Sequence, residues 1–325
     1  MALTEHPSIG PLPADAPRPL WSVMIPTYNP HPDHLAQTLA GVLAQDPGPA
    51  LMEIALVDDC SSRVDPRECL TRVKPDRVSW LRQERHVGIG RNWNTCIRRA
   101  RGHWVHLLHQ DDLVLPGFYD RLRAGIEAAP AAGAAFCRDV VIDAQGREKW
   151  SQPLLRQTPG IVEDWIEHVF TALHLRASAL VVKRRAYEEL GGFRLDLQYA
   201  LDWDMWKRIA ATYPLWYEPE ALARYRRHCG SASFRFLRSG ANIAEICRSI
   251  DLSESTLQPS IAAEVSEKAR QNYTRYAVVT AWRALMERDL RSSWAQIREA
   301  RRLTSTLAVV REVGRLLARG RRIPR

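Results

Sequence analysis

The chain has 325 residues, 46% of them hydrophobic and 26% charged, with a net charge of +9. That length holds one large α/β domain with an appendage, or two modest domains. There is no run of about 18 apolar residues, so no transmembrane helix is expected, and the six scattered cysteines lack the C-x-x-C pairing of a disulfide or metal framework.

Five prolines (Pro7, Pro11, Pro13, Pro17, Pro19) fall within residues 1–20, which carry no apolar core of signal-peptide length. This stretch reads as a flexible leader, and without an export signal the cysteines read as reduced thiols of a cytoplasmic protein. Residues 21–25 form a short apolar run, a strand stopped by Pro26-Thr27-Tyr28-Asn29-Pro30. Leu35, Leu39, Val42 and Leu43 then share one helix face. Residues 54–57 make a second strand, ended by Asp58-Asp59, and 78–81 a third. Gly88-Ile89-Gly90 opens a helix with Trp93, Cys96, Ile97 and Ala100 on one face, closed by Gly102. A fourth strand, 104–108, runs into His109-Gln110-Asp111-Asp112. The alternation predicts half of a doubly wound α/β sheet.

Further along, 134–142 and 177–182 read as strands, 185–190 and 202–211 as helices, and 217–225 as extended chain. Trp203, Trp206, Ile209 and Ala210 form an apolar stripe on the second of those helices. From 237 onward the pattern is helical, with Gly240, Pro259, Gly314 and Gly320 as breakers. The expected domains are therefore 21–236, α/β, and 237–325, helical and basic, with 17 Arg and Lys against 9 Asp and Glu.

Three polar clusters share one placement: Thr27-Tyr28-Asn29, Asp58-Asp59 and Asp111-Asp112 each follow a buried strand. A single Asp after a strand is usually a turn former or helix cap. On neighbouring parallel strands, three such ends converge on the crevice where open α/β sheets bind ligands. Carboxylates there suit Mg²⁺ or Mn²⁺, and such a cation suits a diphosphate. Gly88-Ile89-Gly90 matches neither a dinucleotide fingerprint nor a P-loop. His103, His106 and His109 alternate along a strand, so they cannot all ligate one ion. Asp202 and Asp204 either favour a helix N-terminus or offer a general base. Tyr225-Arg226-Arg227-His228 is either surface charge or a group facing a diphosphate.

The ordered set Ile25-Pro26-Thr27-Tyr28-Asn29, Val57-Asp58-Asp59-Cys60-Ser61, 94–102, His109-Gln110-Asp111-Asp112, Gly191-Gly192-Phe193 and Asp202-Trp203-Asp204-Met205-Trp206 resembles a family 2 glycosyltransferase. The resemblance covers about 21–228. It implies a GT-A fold with a C-terminal helical extension, inversion at the anomeric carbon, and Mn²⁺ or Mg²⁺ as cofactor. It also implies a nucleotide-diphospho-sugar donor, UDP- or dTDP-linked, and a saccharide or lipid-linked acceptor, in envelope polysaccharide or glycolipid synthesis. By the same resemblance Pro26, Thr27 and Tyr28 line the nucleotide pocket with Asn94. Asp58 and Asp59 hydrogen-bond base and ribose, and Asp111 ligates the metal beside Asp112. Asp202 is the catalytic base, and His228 lies near the diphosphate. The family's D-x-D motif has lost its first Asp here to His109, and His109→Asp is expected to be tolerated.

A nucleotidyltransferase would instead carry a Gly-rich basic loop after the first strand. A duplex binder would carry its basic stripe on a recognition element, and no nucleic acid is expected. Leu303, Leu307, Val310, Val313, Leu316 and Leu317 recur at helical spacing among Arg311, Arg315, Arg319, Arg321 and Arg322. That helix reads equally as packing or as a peripheral contact with anionic lipid at the inner face of the membrane.

Overall fold

The structure is a computed structural model that describes residues 6–318 apart from 14, 72 and 74. In chain order come β1 (Trp21–Thr27), α1 (Pro32–Leu43), β2 (Met52–Asp58), α2 (Arg67–Leu70) and β3 (Ser79–Arg82). Next are α3 (Ile89–Arg99), β4 (Trp104–Leu107), β5 (Leu113–Val114), α4 (Phe118–Ala128) and β6 (Ala134–Ile142). Then follow β7 (Glu148–Ser151), β8 (Gly160–Ile161), α5 (Trp165–Thr171), β9 (Leu180–Lys183) and α6 (Arg184–Leu190). The chain continues with α7 (Leu201–Thr212), β10 (Leu215–Arg226), α8 (Ala232–Ser239) and α9 (Ala241–Glu254). It ends in α10 (Pro259–Met286), α11 (Leu290–Leu303) and α12 (Thr306–Ala318).

Two compact units result. The first holds everything described up to Trp165, with Leu175–Asp196 and Thr212–Arg226; the second holds Ile166–His174, Leu197–Ala211 and the chain from Arg227 on. The division is therefore not a single cut at 236/237. Two internal segments of the expected 21–236 domain, one of them carrying Asp202, and its last ten residues, 227–236, belong to the helical unit.

All the strands described lie in the first unit as one mixed sheet, ordered β3-β2-β1-β4-β9-β6-β10-β5, with β7 on β6 and β8 on β10. β3, β2, β1 and β4 run parallel, and β9 turns the direction by pairing antiparallel with β4 and β6. Strand alternation sends Trp21, Val23 and Ile25 to one face, where they join Leu35, Leu39 and Val42 of α1 and Phe118, Leu122 and Ile126 of α4 in one buried cluster. Each such side chain contributes roughly 1.5–3 kcal/mol by leaving water. α1 starts on Pro32, whose fixed φ suits a first helical turn.

The helical unit has its own core, in which Trp203 meets Ile243, Ile246 and Ile250 of α9 and Tyr273 and Ala277 of α10. Gly240, with φ +77, separates α8 from α9 as its breaker role predicts, and Pro259 opens α10. Gly314 does not break α12, which continues to Ala318. Helices α4 and α5 lie in stretches given no element above, and 177–179 forms a helical turn before β9. Gly320, Arg319, Arg321 and Arg322 lie outside the described residues.

The leader is corrected over the part described. Ile9 is buried, Gly192 N donates to the Pro7 carbonyl at 2.7 Å, and Arg18 donates to the carbonyls of Arg101 and Gly102 at 2.9 Å each. Proline-rich chain needs no secondary structure to be held, because its carbonyls remain free acceptors.

Candidate functional site

Parallel pairing sets the first three polar clusters side by side. β1 is flanked by β2 and β4, with Thr27 opposite Asp58 and Met24 opposite Leu107. The loops after these strands are knit by side chains. Gln110 accepts from Tyr28 N at 2.8 Å and donates back to its carbonyl at 3.4 Å. Asn29, at φ +45, accepts from Ser62 N and Arg63 N and donates its own N–H to Ser61 Oγ. Pro26 and Thr27 are buried at the end of β1, so only Tyr28 of the three presents its side chain, at 38% exposure. The Tyr28 ring stacks on His86, centroids 4.1 Å apart and 22° between planes.

The Asp58-Asp59 pair is buried and committed to the protein. Asp58 accepts from Ser61 N and Oγ and from Arg82 Nη1, the last at 2.9 Å. Asp59 accepts from Val87 N at 2.7 Å and Gly88 N at 2.9 Å, and its Oδ2 lies 2.8 Å from His86 Nδ1. Gly88 sits at φ +88, a backbone setting that L side chains avoid, and this aims its N–H at the carboxylate. Burial raises the Asp59 pKa; the two backbone donors and His86 offset part of that. The pair thereby ties the loop after β2 to the start of α3 and holds His86 against Tyr28.

Asn94 is also committed. Its amide donates to Phe193 O at 2.8 Å and accepts from Phe193 N at 2.7 Å, closing both ends on one backbone residue. A Cβ on Gly192 would stand 2.3 Å from Asn94 Oδ1. The Gly191-Gly192-Phe193 motif is thus a lock between α3 and the turn after α6. Asn94, expected in the nucleotide pocket, is buried here with both ends of its amide bonded to Phe193.

At the end of β4 the acids separate. Asp112 is buried; Oδ1 accepts from Arg226 N at 2.8 Å, its carbonyl accepts from Thr38 Oγ1 at 2.8 Å, and Oδ2 lies 3.5 Å from His109 Nδ1. Burial raises its pKa, with His109 acting in the other direction. Asp111 is partly exposed, and its carbonyl accepts from Arg226 Nε at 2.9 Å. His109 stacks on Trp93 at 4.8 Å. Arg226, 2% exposed, gives its remaining donors to the carbonyls of Asp143 and Ala144 and to Gln37 Oε1. It is a buried strut for the Asp111-Asp112 turn, neither surface charge nor a group facing a diphosphate.

His106 is buried between Tyr119 O–H, 3.0 Å from Nδ1, and the Ser178 carbonyl, 3.2 Å from Nε2. A carbonyl only accepts, so Nε2 carries the proton and Nδ1 takes the tyrosine hydrogen. Burial pushes its pKa down to about 3, which fixes it as a neutral core residue.

In the helical unit, Asp202 is partly exposed at the first turn of α7, accepting from Trp203 N at 2.7 Å. Asp204 is buried and paired with Arg208 at 2.9 Å. Trp203 and Trp206 are core residues, as their stripe predicts, and Trp203 Nε1 donates to Val169 O at 2.7 Å. His228 is partly exposed, and its carbonyl accepts from Ser231 N. His86 and Arg82 escaped sequence reasoning. Gln110 and Arg226 lay inside motifs it singled out, but without the roles seen here.

The family model for glycosyl transferase family 2 matches residues 22–191, more than half of the chain. The chain belongs to that family. It is 35% identical over 141 residues to the succinoglycan biosynthesis protein ExoO of Rhizobium meliloti, covering 42% of this chain and 38% of that one. It is 26% identical over 265 residues to the O-antigen biosynthesis protein RfbC of Myxococcus xanthus, covering 80% of this chain and 20% of that one. The chain thus spans well under half the length of either relative. Among solved structures, the mannosyltransferase PcManGT of Pyrobaculum calidifontis, in complex with GDP-Man and Mn²⁺, superposes with a TM-score of 0.59 at 19% identity, over 95% of this chain and 85% of that one.

Proposed function

We propose that the chain is an inverting, metal-dependent glycosyltransferase of GT-A fold. It takes a sugar from a nucleotide-diphospho-sugar, UDP- or dTDP-linked, to a hydroxyl of a saccharide or lipid-linked acceptor. The setting is cytoplasmic envelope polysaccharide or glycolipid synthesis, a reading supported by the names of two relatives. One observation carries the donor half: the ends of β1, β2 and β4 lie together, with a stacked Tyr28–His86 pair and a partly exposed carboxylate, Asp111, at that edge.

In this reading Tyr28 and His86 present a flat aromatic platform to the base, which stacks on it. Asp58 and Asp59 act one step back, holding that platform, in place of the direct contacts that resemblance implies. Among the described residues no group of three or more His, Cys, Asp and Glu could hold a metal. That donor set suits a cation bound by one or two carboxylates together with substrate phosphates, the usual manner of Mg²⁺. Asp111 would supply the protein oxygen, and the bound cation would neutralise charge on the departing diphosphate. Asp202 accepts the acceptor's hydroxyl proton; the hydroxyl oxygen bonds to the anomeric carbon as the bond to the diphosphate oxygen breaks from the other side. Asp204, buried and paired, is not available for that role.

A thermal-shift panel of UDP, dTDP and GDP and their sugars, each with and without Mn²⁺, tests the reading. The expected result is a rise in Tm for a uracil or thymine nucleotide that needs the cation. GDP is included because the Pyrobaculum structure holds GDP-Man, and a response to GDP-sugars alone would refute the choice of base. No response to any nucleotide would refute the donor site.

A further inference from the structure

The helical unit carries an apolar and basic surface that none of the chemistry above uses. At the α10–α11 turn, Leu285, Met286, Leu290 and Trp294 are all exposed, the last two at 66% and 63%. On α11, Leu290, Trp294, Arg298 and Arg301 fall within about 80° of one another around the helix axis. The opposite face, with Ser292, Ala295, Gln296, Glu299, Ala300 and Leu303, is buried. α12 repeats the arrangement. Leu307, Val310 and Leu317 are exposed on one side with Arg311, while Val309 is buried on the other. Large side chains at such exposure, clustered on helix faces, mark a surface that meets something.

Charge says what. Between 285 and 318 all seven arginines (288, 291, 298, 301, 302, 311, 315) are exposed, whereas Glu287 is the one exposed acid of that segment. Glu299 is buried and shared by Arg298 and Arg302, and Glu312 is partly buried beside Arg315. The Arg298 guanidinium lies over the Trp294 ring, 5.0 Å from its centroid. A second copy docked through the same face would set arginines against arginines, since a two-fold contact is self-complementary. An anionic bilayer satisfies both halves. Indole and aliphatic groups seat at the headgroup boundary, arginine stems lie along apolar surface, and guanidinium groups reach phosphate. Each cation near such a surface contributes about 1 kcal/mol, and the aromatic anchor adds to it.

We infer that the exposed faces of α11 and α12, with the α10–α11 turn, form a peripheral docking surface for anionic lipid. None of the helices described is long and apolar enough to cross a membrane. The arrangement is one that lies on a bilayer, and it stands whatever the donor proves to be.

The test is co-sedimentation of the full chain with vesicles of phosphatidylcholine alone or mixed with phosphatidylglycerol, at low and high salt. The wild type is expected to sediment with the mixed vesicles at low salt and to remain in solution with the neutral ones. The double variant Leu290→Ser, Trp294→Ser should weaken that binding by at least about tenfold, because the lost apolar burial exceeds 1.4 kcal/mol. Arg291→Gln with Arg298→Gln should flatten the salt dependence. All four side chains are exposed, so circular dichroism and Tm should match the wild type. Three results would overturn the inference: no binding to the mixed vesicles, binding untouched by both double variants, or light scattering that shows a dimer dispersed by Leu290→Ser, Trp294→Ser.

Discussion

The acids of the sheet unit and those of the helical unit are sorted by burial in the same way. At the end of β4, Asp112 is buried and holds Arg226 N while Asp111 remains partly exposed. On α7, Asp204 is buried and holds Arg208 while Asp202 remains partly exposed. In each of these pairs one carboxylate is buried and bonded within the protein, and its neighbour is partly exposed. The pair after β2 departs from this: Asp58 and Asp59 are both buried, and both are consumed by loop closure. Adjacent acids therefore do not share a role merely because they share a motif.

The β4 pair offers the largest effects. Asp111→Asn should abolish turnover and the Mn²⁺-dependent part of nucleotide binding, with stability changed by less than about 1 kcal/mol. Asp112→Ala should cost about 2–4 kcal/mol by stranding a buried N–H and opening a void, read as a lowered midpoint in urea. If the stability losses come out in the opposite order, the division of labour is wrong. The structure also reverses the expectation for His109→Asp. A carboxylate there would face Asp112 Oδ2, which lies 3.5 Å from the present imidazole nitrogen, and like charges at that range disfavour each other. A chemical melt should show the variant destabilised at neutral pH and recovering as the medium is acidified.

On α7 the contrast is kinetic. Asp202→Asn should keep donor affinity and lower kcat by at least about a hundredfold. Asp204→Asn should lower Tm through its partly buried partner Arg208 and leave kcat within a few-fold. Steady-state kinetics on both, normalised to folded protein, would break the comparison if Asp204→Asn proved the slower enzyme.

Asn94 gives a smaller effect and separates resemblance from geometry. As a pocket residue it would change nucleotide affinity when altered. As the lock on Phe193 it should cost about 1–3 kcal/mol in Asn94→Ala, with nucleotide titrations of the folded variant unchanged. A weakened nucleotide response with an unaltered melt would return Asn94 to the donor site.

Much of the sheet unit was legible because its signals are local. The apolar runs of β1, β2 and β4 and the 3.6-residue stripes of α1 and α3 are written into consecutive residues, and parallel pairing then places the strand ends together. What was not legible depends on distant partners. Arg226 props up Asp111 from 115 positions away, and nothing near Arg226 in the chain announces it. His86 acquires its place through Asp59 and Tyr28, each supplied by another strand end. The leader misled through composition, since proline predicts missing strand and helix but not missing contacts. Gly314 misled because a glycine inside a helix costs only about 1 kcal/mol, which the neighbouring apolar residues outweigh.

Each unit also holds a buried base whose pKa burial pushes far down, and this gives the finest test of the comparison. In the sheet unit, burial holds the His106 pKa down to about 3, from an ordinary 6.5. In the helical unit, burial pushes the Lys207 pKa down to about 7, from 10.5. Its Nζ donates to Ser249 O, Ser249 Oγ and Ser253 Oγ on α9 and lies 4.0 Å from the Trp203 ring centroid. For both groups the unfolded chain binds more protons than the folded one between the two pKa values, so stability rises with pH across that window. The windows do not overlap: about 3 to 6.5 for His106 and about 7 to 10.5 for Lys207. The readout is the difference between variant and wild type at each pH, which removes the contribution of every other titrating group. Lys207→Met should be least harmful, or even neutral, below pH 7, where the wild type bears a buried charge. Its deficit should then grow by a few degrees in Tm as pH rises through the upper window. His106→Phe should show its change only in the acid window. A Lys207→Met difference that is flat from pH 6 to 10 would mean that the lysine stays charged on its three oxygens and the indole. The clamp between α7 and α9 would then be ionic at every pH at which the enzyme is folded.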